Sequence, residues 1–335
     1  MNKRPKNITD QFGRVHNYLR ISLTERCNLR CFYCMPEEGI ELSEKSNILT
    51  HEEVIFLAKE FVELGVNKIR LTGGEPLIKK NIEKIIRELT ALPISLGITT
   101  NGILLDKYID LFKECGVKDI NISLDTLDKE KFELMTRRDY FDRVMSNIYQ
   151  CILAGFNVKI NAVLIKGVND SEIVDFIEFT KDKNVSFRFI EFMPFDGNKW
   201  DTSKVVSLEA ILEKVKENYD KDEIIKLEDK KNDTTKNYRI KGYKGSFGII
   251  STVSNPFCDS CNRIRLTANG RIKNCLFSAT ETNLLAPLRA GEDVVPYILK
   301  AIFPKEKSRG GMISDEDFFD KEKNTKNRAM ISIGG

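Results

Sequence analysis

The sequence predicts an α/β fold built on parallel strands, followed by a smaller α+β region, and three features predict it. Short β-branched runs alternate with longer amphipathic stretches over the first 195 residues, those stretches carry cap signals, and the alternation then stops.

The strand candidates, in order, are YLRISLT (18–24), NKIRLTG (67–73), SLGITTN (95–101), KDINISLD (118–125), NVKINAVLI (157–165) and VSFRFIEFM (185–193). Each is a short apolar, β-branched run, as strands require. Between them the pattern predicts helices near 50–64, 81–91, 104–115, 140–154 and 171–182. Thr50 followed by Glu53 is a capping-box pair, and Gly65, Gly116 and Gly155 stand where helices close.

Such alternation calls for right-handed crossovers between parallel strands, in an open sheet or a barrel, with the chemistry gathered at the carboxyl ends of the strands. Cys27 follows the first strand, Gly73 and Gly74 the second, Asn101 and Gly102 the third, Asp125 the fourth and Met193 the sixth. These residues are expected around one mouth.

Past residue 195, FDGNKWDTSK reads as a connection, 207–219 as one helix and KDEIIKLEDKKNDTTK as a charged, solvated stretch. Short strands are expected within NYRIKGYKGSFGIIST and CNRIRLTANGRIKNC, the second pair turned by Asn269-Gly270. The expected division is 1–195 and 196–335, the second part a small cysteine-bearing module. The charged segment from about Lys305 ends in MISIGG and is expected to form a tail.

With 335 residues, 41% apolar and 31% charged, the chain has an ordinary globular composition, sized for two domains or one large barrel with an extension. Lys and Arg number 53 against 50 Asp and Glu, for a net charge of +3, which argues against a general nucleic-acid coat and leaves room for local anion sites. No apolar run approaches the roughly 18 residues that span a bilayer. The start MNKRPKNITDQFGRVHN lacks the apolar middle of a signal peptide, so a cytoplasmic location without membrane attachment is expected.

In that compartment the eight cysteines are read as metal ligands before disulfides. Cys27, Cys31 and Cys34 form one group, Cys258, Cys261 and Cys275 another, while Cys115 and Cys151 read as small core hydrophobes. The chain has only His16 and His51, so Cys/His zinc sites are hard to complete. Three thiolates suit either a zinc site with a distant fourth ligand or a four-iron cluster with one open iron.

The motif CNLRCFYC, from Cys27 to Cys34 directly after a strand, resembles the signature of the radical S-adenosylmethionine (SAM) superfamily. LTGGEPL, from Leu71 to Leu77, resembles the segment that lines the methionine end of SAM there, with Glu75 placed to accept from its ammonium. FCDSCNRIRLTANGRIKNCLF resembles the auxiliary-cluster segment of one family within it, the GTP 3′,8-cyclases of molybdenum cofactor biosynthesis. RISLTERCNLRCFYCMP, KIRLTGGEPL, ITTNG, ISLDTLD, RFIEFM, CNRIRLT and the final GG occur in that family's order and at similar spacing. One departure is DTTKNYRIKG, which has no Gly-Pro pair before Tyr238.

The resemblance implies a partial (β/α)6 TIM-like barrel with a C-terminal α+β extension carrying a second cluster. It implies two 4Fe-4S clusters as cofactors, on Cys27, Cys31 and Cys34 and on Cys258, Cys261 and Cys275. It further implies SAM contacts at Tyr33, Gly74, Glu75, Ser123 and Met193, and GTP contacts at Arg20, Arg70, Thr99, Lys159, Arg263 and Arg265. The implied reaction starts when SAM accepts an electron and yields a 5′-deoxyadenosyl radical. That radical takes hydrogen from C3′ of GTP, and the new carbon radical closes on C8. The implied partners are GTP, a reductant protein and, next in the pathway, cyclic pyranopterin monophosphate synthase, with a homodimer left open. Gly334 and Gly335 match the family's double-glycine end, thought to reach the active site.

Overall fold

The computed structural model describes residues 5–36, 38–312, 314, 316–317 and 327–334. Twelve strands form one sheet: β1 (Tyr18–Ser22), β2 (Lys68–Thr72), β3 (Ser95–Thr100), β4 (Asp119–Ser123), β5 (Asn157–Leu164), β6 (Ser186–Glu191), β7 (Ile224–Lys226), β8 (Lys236–Ile240), β9 (Ser246–Ile250), β10 (Arg263–Leu266), β11 (Arg271–Lys273) and β12 (Thr282–Asn283). Their order is β12-β11-β10-β1-β2-β3-β4-β5-β6-β9-β8-β7. From β10 to β9 every neighbouring pair is parallel, and antiparallel hairpins finish both ends.

Among the described residues the helices are α1 (His51–Glu63), α2 (Ile82–Thr90), α3 (Ile109–Glu114), α4 (Lys129–Thr136), α5 (Phe141–Leu153), α6 (Ile173–Glu178), α7 (Leu208–Lys216), α8 (Leu285–Arg289), α9 (Val295–Ile302) and α10 (Met330–Ile333). The Thr50 and Glu53 capping box opens α1. Left-handed glycines follow α1, α3 and α5 at Gly65, Gly116 and Gly155. Two expected helices are shorter than their patterns: a 3-10 turn at Leu105–Lys107 precedes α3, and another at Asp170–Glu172 precedes α6. Helix α4 was not expected, because its eight residues bury only Phe132, Met135 and Thr136, too weak a stripe to register; Asp128 caps it by accepting from Lys131 N–H.

One face of the parallel strands is apolar. Leu19, Ile21, Ile69, Leu71, Ile98, Ile120, Ile122, Ile160, Phe187 and Phe189 are buried in one continuous core. Because strand side chains alternate, the other face holds Arg20, Arg70, Thr99, Asn121, Lys159, Arg188 and Arg265. Register aligns Arg20 with Arg70 on one side and Arg265 on the other, and Asn121 with Lys159. Residues on or just after six successive strands line a single cavity, so the sheet curls into a partial barrel.

The strands past residue 195 do not stand apart. β9 pairs in parallel with β6 and β10 with β1, so this segment extends the barrel sheet at both of its edges. Its charged stretch contributes the short edge strand β7 rather than only solvated chain. The Asn269-Gly270 hairpin forms as expected, joining β10 to β11 with Gly270 at φ +70. Among the described residues no helix is long and apolar enough to cross a membrane.

Candidate active site

Beyond β1 the chain loops through Cys27, Cys31 and Cys34. The loop is pinned to the end of α4, where Arg30 N–H donates to Thr136 O at 2.9 Å and Phe32 N–H to Met135 O at 3.1 Å. Leu29 N–H and Asn101 Nδ2 donate to Cys27 Sγ at 3.4 and 3.7 Å. Burial pushes Cys27 up to about 11 and Cys34 up to about 12, with Cys31 also well above its ordinary value. Thiols this buried give up their protons readily only where a cation replaces them, which is the chemistry of a metal-bound thiolate.

The three thiols open on a cavity of about 190 Å3. Its two carboxylates are engaged within the chain: Asp125 accepts from Tyr33 OH at 2.6 Å and Val163 N–H at 2.8 Å, and Glu191 from Val253 N–H at 2.7 Å. Among the described residues, no three His, Cys, Asp or Glu side chains form a preformed site for one metal ion. Three partly buried thiols on one cavity, whose two carboxylates are already engaged, would suit holding a four-iron cluster.

Tyr33, Gly74, Ser123 and Met193, expected from the sequence to contact SAM, all line this cavity. A Cβ on Gly74 would lie 2.2 Å from Arg26 O and 3.1 Å from Cys27 N, so only glycine lets the loop after β2 touch the cysteine loop. Glu75 is the fifth residue expected to contact SAM. It is absent from the cavity wall, and its buried carboxylate accepts from Leu77 N–H at 3.0 Å, Thr100 OH at 2.7 Å and Asn101 N–H at 2.7 Å. These bonds tie it to the end of β3. Asn101 and Asp125, which the sequence placed at strand ends without a role, do line the cavity.

The expected GTP contacts come together deeper on the polar face. Burial, then the charges of Arg70, Arg263 and Arg188 among others, brings Arg20 down to about 10. Burial and Arg188 bring Lys159 to about 8, and burial with Arg20 and Arg263 holds Arg265 well below its usual value. These cations are near enough to repel one another, an arrangement that favours an anion on this face. Thr99 lines the cavity, and its buried Oγ1 has no hydrogen-bond partner. Arg70 is partly committed, donating to Tyr18 OH and to Ile98 O, each at 2.8 Å. Arg188, brought by burial and Arg70 to about 10, belongs to this group although the sequence reading passed over it. Its signal was present: flanked by outward Phe187 and Phe189, it shares parity with the inner face.

The second triplet lies beside these cations. Lys305 Nζ donates to Cys261 Sγ at 3.4 Å, Arg263 Nη2 at 3.8 Å, and Arg309 N–H to Cys258 Sγ at 3.3 Å. Burial would raise Cys261, but Lys305 and Arg263 outweigh it and bring the thiol down to about 6. Cys275 packs with Met193 against Phe277 and Met312, which links this triplet to the wall of the SAM-sized cavity. The tail joins the parts: Ile331 packs near Cys27 and Cys34, and Gly334 O accepts from Arg265 Nη1 at 2.5 Å. Gly335 lies outside the described residues.

A cysteine loop after the first strand, opening on the mouth of a curled parallel sheet, defines a radical SAM protein, and the family model of the Radical SAM superfamily matches residues 21–180. That of Molybdenum Cofactor Synthesis C matches residues 185–310. The chain is 48% identical to the mitochondrial GTP 3′,8-cyclase of Arabidopsis thaliana, covering 98% of this chain and 83% of that one. It is 42% identical to GTP 3′,8-cyclase of Listeria monocytogenes, covering 98% and 99%. Human molybdenum cofactor biosynthesis protein 1 is 44% identical over 97% of this chain, which spans only 51% of that longer relative. The chain belongs to the GTP 3′,8-cyclase family of radical SAM enzymes. In fold it resembles Streptococcus suis SuiB, with a TM-score of 0.61 at 17% identity over 89% of this chain and 67% of that one.

Proposed function

We propose that the chain is a lyase-class GTP 3′,8-cyclase, converting GTP to 3′,8-cyclo-7,8-dihydro-GTP in the first step of molybdenum cofactor biosynthesis. One observation carries this reading: a polar strand face crowded with Arg20, Arg70, Lys159, Arg188, Arg263 and Arg265 lies between two cysteine triplets.

Cys27, Cys31 and Cys34 hold the first 4Fe-4S cluster in this reading, and Cys258, Cys261 and Cys275 the second. A cluster held by the first triplet would supply the electron that SAM-based radical chemistry requires. Tyr33, Gly74, Ser123 and Met193 enclose SAM. The guanidinium and ammonium groups take the triphosphate, because planar Arg forks meet phosphate bidentately while Lys adds point charge. Thr99 Oγ1 offers a buried hydroxyl for the ligand. Holding the ribose toward the first cavity and the base toward the second triplet is the chain's main contribution to rate.

The division 1–195 and 196–335 then separates the two cluster-bearing parts. A reductant protein supplies electrons, a cyclic pyranopterin monophosphate synthase takes the product, and a cytoplasmic setting, monomeric or homodimeric, suits the reduced thiols.

Anaerobic protein incubated with GTP, SAM and reductant should form 5′-deoxyadenosine and the cyclised nucleotide, and carry about eight irons, as two cubane clusters require. Colourless protein with bound zinc, or SAM cleavage that ignores GTP, would overturn the reading.

A further inference from the structure

A second pocket of about 230 Å3 lies behind the first cysteine loop, lined by Phe32, Pro36, Arg137, Lys166, Lys199 and Lys204 among others. It shares Phe192 and Asn198 with the SAM-sized cavity, so the two are separated by a single layer of side chains. Its lining holds four cations and no carboxylate. Lys166, Lys199 and Lys204 are exposed, and among the described residues none of the four is in an ion pair. Of the acids nearby, Asp170 accepts from Gly167 N–H and Asp201 from Ser203 N–H, Asp201 also feeling the charge of Lys204 without forming an ion pair with it.

Two of the cations sit in left-handed backbone, Arg137 at φ 57 and Lys199 at φ 50, a conformation that costs a non-glycine residue energy and is kept where geometry matters. Arg137 directly follows Thr136, whose carbonyl accepts from Arg30 within the cysteine loop. Phe32, next to Cys31, is half-exposed on the pocket wall and packs edge-on to Tyr33 at 5.9 Å. The patch is therefore bonded to the loop that carries the first triplet, on the side away from the SAM-sized cavity.

We propose that this basic pocket is the docking surface of an acidic electron-donor protein, which delivers electrons to the first cluster past Phe32. The inference rests on the reading that Cys27, Cys31 and Cys34 hold a reducible cluster. Four cations set on separate loops after α4, β5 and β6 suit a surface of carboxylates rather than one small anion. Unpaired surface charge of one sign steers association of an oppositely charged partner. At each encounter the donor loses one electron and the cluster gains one, and no covalent bond forms or breaks.

The test uses the cluster-loaded full chain, with a reduced acidic flavodoxin as probe and stopped-flow absorbance and electron paramagnetic resonance as readouts. The Lys166→Glu, Lys199→Glu, Lys204→Glu triple variant should be reduced by flavodoxin at least about ten-fold more slowly at low salt, within the range steering supplies. The wild-type rate should fall with salt, the variant rate should not, and a triple Lys→Arg variant should keep the wild-type rate. Iron content and reduction by dithionite should be unchanged in all three proteins. Flavodoxin reduction of the charge-reversed variant at the wild-type rate, or equal loss with both reductants, would overturn the docking site while leaving the cluster reading intact. Absence of any dithionite-reducible cluster in the wild type would overturn both.

Discussion

The guanidinium of Arg265 donates to the carbonyl oxygen of Gly334 at 2.5 Å, anchoring the tail among the cations of the inner face. Gly334 has φ +91, and a Cβ there would lie 2.5 Å from Thr72 Oγ1 and 3.0 Å from Ser22 Cβ. Only glycine seats the tail over the ends of β1 and β2.

Gly334→Ala should therefore displace the tail without unfolding the sheet. Nucleotide cyclisation should drop by about ten-fold or more, since a misplacement of about 1 Å can cost ~100-fold. The thermal midpoint should stay within a few degrees, because the segment displaced is a four-residue terminal helix that contributes no strand to the sheet. A variant with full turnover would show that the tail only rests there.

Gly74→Ala forces a methyl onto the backbone at Arg26 and Cys27, which cannot move without moving the cysteine loop. Anaerobic iron analysis should fall from about eight to about four per chain, the count of one remaining cubane. Retention of both clusters would mean that the loop has slack.

Glu75 is buried, and burial pushes its carboxyl up to about 7 against three donated hydrogen bonds. A carboxyl raised in the fold above its value of 4.5 in the unfolded chain adds stability at low pH, and that contribution fades as pH rises through about 7. Glu75→Gln leaves one backbone or hydroxyl donor facing an amide N–H, which should cost about 1–3 kcal/mol. Denaturation of the cluster-free proteins should show the gap between wild type and variant shrinking from pH 5 to pH 8; a widening gap would mean that the three donors outweigh burial.

Lys305 is 2% exposed, and its ammonium sits between Cys261 Sγ and Arg263 O. A fixed cation favours the reduced, more negative form of any cluster on that thiolate. In Lys305→Met the midpoint potential of the second cluster should fall and that of the first should hold, with Lys305→Arg restoring most of the difference. Redox titration followed by electron paramagnetic resonance reads both, and an unmoved potential would leave Lys305 a purely structural group.

Arg188→Ala removes one partly buried cation from the inner face. GTP affinity should weaken by roughly ten-fold or more, as losing one charge-assisted hydrogen bond of about 1.5–3 kcal/mol implies. Guanosine binding should change little, and equal losses for both ligands would place Arg188 at the base instead of the phosphates.

Much of this was legible before folding was considered. Strand and helix alternation is a local property, so the six barrel strands fall within a few residues of their expected places, and α1 opens on the expected Thr50 box. Both cysteine triplets are set by spacing along the chain. Helix α4 escaped because two apolar residues make too faint a stripe, and Arg188 because its partners are distant in sequence.

The sequence alone determined the kind of chemistry: which thiols cluster, which strands carry them, and which end of the sheet they face, since covalent spacing and side-chain period dictate each. Tertiary structure decided what register and burial control. It set Arg20 beside Arg265 by pairing β1 with β10, tied Glu75 to the end of β3, brought Lys305 to Cys261 and wrapped the later strands onto both barrel edges. Contacts between residues hundreds of positions apart depend on how the sheet curls, and no local pattern encodes them.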